Sequence, residues 1–261
     1  MILFCHANGF PPGSYQELFN LIDDQIQSIP LSPLKRPFTK EENKNNWHHF
    51  GDELIEDLQN HPQLGNLIGV GHSMGGILLL RAAALYPHWF KKIILIDPTL
   101  LPEHFVWLSN YLPQFINRKI HPVASKAFQR RDHWPSKQIA FDSFRQKKLF
   151  KYISDEGLWN YIHSVMTELP NGEITLGYSK AWEEHCFLKV INAWPFLRAC
   201  QTPIVGINGY YSELIRPKII QRWKKLDPIS EIHRIEKAGH LVPLERPKEV
   251  ATIINQVIEQ F

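Results

Sequence analysis

Apolar residues fall in four short unbroken runs, Ile2 to Cys5, Leu67 to Val70, Ile93 to Ile96 and Ile204 to Ile207. Continuous rather than alternating runs are what strands covered on both faces require, and such strands belong to parallel sheets. A fifth run, Ile232 to Ile235, is interrupted by His233 and Arg234 and is expected nearer a sheet edge. Helical spacing occupies the intervals, over Tyr15 to Ile22, Asp52 to Gln59, Gly76 to Tyr86, Arg216 to Leu226 and Pro247 to Gln260. Strands that alternate with helices predict an α/β fold, a mostly parallel central sheet flanked by helices.

Residues 102–200 break this rhythm. They hold 17 of the 31 Phe, Trp and Tyr residues and carry no clear parallel-strand run. A stretch of that length is too long for a structureless loop, so a mostly helical insertion over a main domain of residues 1–101 and 201–261 is expected. Within it, Ser136 to Tyr152 reads as a helix with Ile139, Phe141, Phe144 and Phe150 on one face. Opposite lie Arg145, Lys147, Lys148 and Lys151, a solvated face in preference to a nucleic-acid patch.

A chain of 261 residues that is 44% hydrophobic and 21% charged has material for a sizeable core, which excludes disorder, collagen-like repeats and small disulfide scaffolds. A net charge of +3 is too weak a field to mark nucleic acid as the partner. Cys5, Cys186 and Cys200 are odd in number and widely spaced, so neither a disulfide framework nor a zinc site is indicated, and a reducing compartment is expected. No apolar run approaches the roughly 18 residues of a membrane span, and no leader pattern opens the chain. A cytoplasmic protein without a membrane span, metal or cofactor is the expectation.

Five glycines, Gly65, Gly69, Gly71, Gly75 and Gly76, crowd one short stretch. There Gly71-His72-Ser73-Met74-Gly75 sets G-x-S-x-G between an apolar strand and an apolar helix. That context forces the serine out of the sheet on a sharp turn, with a helix N-terminus behind it to favour developing negative charge. A serine hydroxyl needs a base, and that base needs a third group to hold its tautomer. Of 13 histidines, His240 is the candidate, because it follows the last predicted strand and precedes the final helix. His72, next to the serine, is expected to be packed support. His48, His49, His104, His121, His133, His163 and His185 show no metal-ligand spacing.

With these residues in view, the chain resembles a serine hydrolase of the α/β-hydrolase superfamily over nearly its whole length. Four segments carry the likeness: His6 to Pro11, the Gly71 to Gly76 turn, Leu95 to Pro98, and Ala238-Gly239-His240 followed by Pro243 to Pro247. The resemblance implies a helical lid inserted after the strand that ends near Asp97. It also implies an oxyanion hole made by the backbone of Met74 and by Asn8 or Phe10, with Asn8 ahead. The acid departs from the family's usual pattern, since Asn208 to Glu213 offers no aspartate. Glu213 is placed first for the role and Asp97, at the end of the neighbouring strand, second. Met1 leads almost directly into the strand that should be third, so the first two strands of the fold are expected to be missing.

The implied activity is hydrolysis of a carboxylic ester or related acyl bond of a small apolar or aromatic substrate, without a cofactor. Carbon–carbon bond or thioester hydrolysis, peptide hydrolysis, acyl transfer on the same triad, and a non-catalytic binding role are the alternatives. Phe105, Trp107, Tyr111, Phe115, Trp134 and Trp159 are candidate pocket residues beneath the lid, and Tyr210 and Tyr211 stand beside the candidate acid. Phe38, Trp47, Trp89, Phe90 and Trp223 are candidates for a homodimer interface.

Overall fold

Nine strands are formed among the described residues: β1 (Ile2–Cys5), β2 (Ile26–Ile29), β3 (Leu67–His72), β4 (Phe90–Ile96), β5 (His133–Trp134), β6 (Met166–Glu168), β7 (Ile174–Leu176), β8 (Ile204–Gly209) and β9 (Glu231–Ile235). The computed structural model describes residues 1–261, apart from the side chains of Gln114, Phe115 and Ile120. Six strands join in the order β2-β1-β3-β4-β8-β9, every neighbouring pair parallel. The unbroken apolar runs are the strands buried on both faces. β2 was not legible, because Ile26-Gln27-Ser28-Ile29 is a short, half-exposed edge strand whose two isoleucines form no unbroken run. It pairs in parallel along the outer edge of β1.

Register places the functional residues. Cys5 pairs with Gly71, His72 with Ile96, Ile96 with Ile207 and Gly209 with Ile235, so these strands end at one level. The ladder continues one residue further, with the Ser73 amide on the Ile96 carbonyl at 3.0 Å and the Asp97 amide on the Ile207 carbonyl at 2.7 Å. Ser73 and Asp97 therefore leave the carboxyl edge of adjacent strands side by side, where ligands of open α/β sheets bind.

The helix Met74–Leu85 is buried around most of its circumference, as its near-continuous apolar sequence requires. On the helix Pro217–Leu226, Trp223 is fully buried over Gly206, and its indole N–H donates to Ser230 Oγ at 3.0 Å. Trp47, Trp89 and Phe90 are buried as well, and Phe38 stands edge-on to Trp182 at 5.0 Å. The residues read as a dimer interface belong to the protomer's own core.

Between β4 and β8 the chain forms the helices Glu103–Tyr111, Gln114–Ile120, Pro122–Gln129, Lys137–Arg145, Asp155–Val165, Lys180–Leu188 and Trp194–Ala199. It also forms an antiparallel sheet in the order β5-β7-β6, whose strands of two or three residues are too short to show a period. The helix expected over Ser136 to Tyr152 begins on a Ser136 cap and stops at Arg145. Beyond that end the Arg145 guanidinium donates to the carbonyls of Phe150, Ile153 and Ser154 and holds the segment that follows. The Lys147 ammonium lies 3.9 Å from the centroid of the Phe144 ring. Two cations of the expected solvated face are thus structural. Among the described residues no helix is long and apolar enough to cross a membrane.

Candidate active site

Ser73 has φ 55° and ψ −116°, a left-handed conformation for a residue with a side chain. Such strain persists only where the surroundings impose it. Here the glycines on either side impose it. A Cβ at Gly75 would lie 2.3 Å from the Cys5 carbonyl oxygen, and one at Gly71 would lie 2.6 Å from Gly76 Cα. Strand and helix approach to backbone contact, and Ser73 is driven to the apex between them.

At that apex His240 Nε2 is 3.0 Å from Ser73 Oγ, and His240 Nδ1 is 2.9 Å from Asp97 Oδ1. Asp97 has no solvent exposure, and its carboxylate also accepts from the Gly209 amide at 3.0 Å and from Ser212 Oγ at 2.6 Å. A carboxylate accepts only, so Nδ1 carries the imidazole proton and Nε2 is free to accept from the serine hydroxyl. Glu213, placed first from sequence, is exposed, and its backbone carbonyl accepts from Arg216 Nε. Of the two candidate carboxylates, the structure sets Asp97 against His240. Ser212 explains why: its hydroxyl accepts from the Leu214 and Ile215 amides and donates to Asp97, which closes the loop and turns Glu213 outward.

Of the two candidate amides in the first loop, Phe10 donates to the Ala7 carbonyl at 3.2 Å. Among the described residues no hydrogen bond engages the Asn8 amide. Asn8 is clamped by its side chain, which donates to the Glu183 carbonyl at 3.1 Å and accepts from the Tyr178 hydroxyl. Met74, at the head of its helix, is fully buried. The Glu183 carboxylate is held by Arg130 at 2.6 Å, and burial pushes its pKa up against that pairing. On the base's side, the Glu245 carboxylate accepts from the Gly239 amide, and burial raises its pKa as well.

A buried chain that sequence reasoning did not find joins the two loops. The Ala7 amide donates to the Tyr15 hydroxyl at 3.1 Å, which lies 2.8 Å from His72 Nδ1, while His72 Nε2 lies 2.9 Å from the His240 carbonyl. The carbonyl can only accept, so Nε2 holds the proton and Nδ1 accepts from Tyr15, giving one consistent direction throughout. Burial and then the neighbouring His240 hold the His72 pKa well below the usual value of 6.5, so the ring stays neutral. No spacing in the sequence links residues 7, 15, 72 and 240. Thr99 was also missed; its hydroxyl is 3.1 Å from Ser73 Oγ.

Among the described residues the candidate pocket aromatics take other partners or lie on the surface. Trp134 is buried against Phe144, Trp159 stacks on Phe141 at 4.6 Å, and Phe105 meets His121 at 4.5 Å. Trp107 and Tyr111 lie on the surface, and Phe115 lies outside the described side chains. Tyr210 and Tyr211 are exposed, with Arg234 over the Tyr210 ring. Phe10 instead joins an aromatic wall, 5.0 Å from Tyr161 and 6.2 Å from Phe150. Among the described residues no three His, Cys, Asp or Glu side chains are grouped to hold a metal ion.

Comparison with known proteins gives a consistent result. The profile of the alpha/beta hydrolase family matches residues 2–253. The uncharacterized hydrolase YugF of Bacillus subtilis is 24% identical over 261 residues, covering 94% of this chain and 85% of its own. Esterase YbfF of Escherichia coli is 24% identical over 243 residues, covering 92% and 82%. Among solved structures, the peroxisomal alpha-beta-hydrolase Lpx1 of Saccharomyces cerevisiae superposes with a TM-score of 0.76 at 18% identity, over 100% of this chain and 76% of that one.

Proposed function

Since the chain belongs to the alpha/beta hydrolase family, we propose that it is a serine hydrolase acting on a carboxylic ester or related acyl bond of a small substrate. The observation that carries this reading is the unbroken line from Ser73 Oγ through His240 to buried Asp97, at 3.0 and 2.9 Å. In acylation Ser73 attacks the carbonyl carbon as its proton passes to His240 Nε2, and Asp97 stabilises the imidazolium without taking the proton. The amides of Met74 and Asn8 hold the oxyanion. A lost donor of this kind costs about 2.7–4 kcal/mol of transition-state stabilisation. His240 then protonates the departing alcohol, and water releases the acyl group from Ser73.

Phe10, in the oxyanion loop and packed on the buried rings of Tyr161 and Phe150, supports an apolar or aromatic acyl group. The segment 102–200 serves as the lid over it. Ester cleavage agrees with the name carried by the relative from Escherichia coli.

The test is labelling with a fluorophosphonate, read by intact mass, with Ser73→Ala as control. One adduct per chain that vanishes in the variant is expected. Folded wild-type protein that takes no label would overturn the reading and favour a non-catalytic binding role.

A further inference from the structure

The proton inventory at Ser73 assigns a donor that the triad does not use. His240 Nδ1–H is committed to Asp97, so Nε2 accepts the only proton that Ser73 Oγ carries. Thr99 Oγ1, 3.1 Å from Ser73 Oγ, must therefore be the donor in that contact. Its backbone amide faces the same residue, 3.5 Å from the Ser73 carbonyl oxygen. Thr99 follows Asp97-Pro98 off the end of β4, so the strand that brings the carboxylate also fixes this hydroxyl. It is half-buried.

We propose that Thr99 is a catalytic residue of deacylation, holding the hydrolytic water against His240 and assisting the departure of Ser73. The proposal rests on the serine-hydrolase reading above. A hydroxyl offers one donor and two acceptor lone pairs. In the acyl-enzyme Ser73 Oγ is an ester oxygen, and Nε2 has lost its serine partner. Nε2 and Thr99 Oγ1 each lay within hydrogen-bond reach of that one oxygen, so a water beside it reaches both. The water donates one proton toward Nε2 and the other to Thr99 Oγ1, which leaves a lone pair for the acyl carbon.

Atoms and protons balance in the step that follows. The water oxygen bonds to the acyl carbon as its proton passes to Nε2. The C–Oγ bond then breaks, the electron pair returns to Ser73 Oγ, and the proton on Nε2 follows it. The product is a carboxylic acid, and the resting hydroxyl of Ser73 is restored. Throughout, the Thr99 proton points at Ser73 Oγ, the atom on which negative charge grows as the bond breaks. In acylation the same donor opposes attack, because it holds a lone pair of the nucleophile. Removing it therefore acts on the two half-reactions differently, which a purely structural residue does not.

The experiment is pre-steady-state hydrolysis of p-nitrophenyl acetate by wild type, Thr99→Val and Thr99→Ser, with the acyl-enzyme followed by intact mass. Valine keeps the shape and removes the hydroxyl, whereas serine restores it. The expected result for Thr99→Val is a preserved burst of p-nitrophenolate, a steady-state rate lowered about tenfold, and acetyl-Ser73 accumulating during turnover. Thr99→Ser is expected to deacylate within a few-fold of wild type. The proposal is overturned if Thr99→Val deacylates at the wild-type rate, if burst and steady state fall by the same factor, or if Thr99→Ser fails to restore turnover. In each of these the wild-type burst stands, and with it the hydrolase reading. A wild-type enzyme that forms no acetyl-Ser73 overturns both.

Discussion

The carboxylate facing His240 comes from the end of β4, and two donors besides the imidazole hold it in place, the Gly209 amide and the Ser212 hydroxyl. Replacing Asp97 with Asn keeps the shape but puts a donor where only acceptors fit, which sets the wrong imidazole tautomer. Asp97→Asn is expected to lower kcat on p-nitrophenyl acetate about 10⁴-fold, the loss typical of that change in a triad. Glu213→Gln is expected to leave kcat unchanged, since Glu213 is exposed; a loss on Glu213→Gln equal to that on Asp97→Asn would refute this assignment. The difference between the two carboxylates marks what a sequence conveys at this scale. Ser73 and His240 were legible because each sits in a local pattern, glycines about a turn for one and a loop between the last strand and last helix for the other. The choice between Glu213 and Asp97 was not legible, because it depends on which strand end meets the histidine, and Ser212 stands between them without a charge. Thr99, two residues beyond Asp97, has no motif of its own.

At the scale of elements, the first loop, the helix-side tyrosine, the nucleophile turn and the base loop are joined through Ala7, Tyr15, His72 and His240. Tyr15→Phe keeps the ring, which packs edge-on against Phe4 at 4.7 Å, and leaves the Ala7 amide and His72 Nδ1 buried without partners. Unmade buried hydrogen bonds cost about 1–3 kcal/mol, so urea unfolding is expected to register a loss of that size. Turnover falls with it, because the Asn8 amide moves with Ala7; full stability in Tyr15→Phe would show that the chain does not tie these elements together. Gly75→Ala is the harsher change, since its Cβ would sit 2.3 Å from a backbone oxygen that cannot swing aside. It is expected to give little folded protein, and ordinary yield with a native circular dichroism spectrum would contradict the close approach. Elements with a long apolar run or a full helical face were readable from their own residues. β2, β5, β6 and β7 were not, since a short or half-exposed strand is defined by the partner it pairs with rather than by its own pattern.

For the whole molecule, the cost of burying imidazoles sets how stability responds to acid. Burial lowers the pKa of His6 to about 4, partly offset by its bond to the Ala7 carbonyl, and lowers that of His185 to about 4, while His72 lies well below 6.5. In the unfolded chain all three protonate near their ordinary value. The stabilisation that comes from keeping them neutral is thus complete above that value and is lost as pH falls from about 6.5 toward 4, where the unfolded chain binds protons that the folded chain refuses. Each such group contributes up to about 1.4 kcal/mol per pH unit within that window. Glu183 and Glu245 act with the opposite sign: burial raises their pKa, the folded chain takes the proton first, and each offsets part of the loss. With His48 and His121, whose pKa burial also lowers, the histidines that favour the neutral folded form outnumber the two carboxyls, so the net slope follows the histidines. Urea unfolding between about pH 7 and about pH 5 is therefore expected to show stability falling with acidity. His6→Gln, whose amide oxygen can accept from the Leu31 amide as Nε2 does, removes one of these protons and should flatten the slope by about one proton. An unchanged slope in His6→Gln would mean that His6 is protonated in the folded chain, in conflict with its Nε2 accepting the Leu31 amide at 3.1 Å.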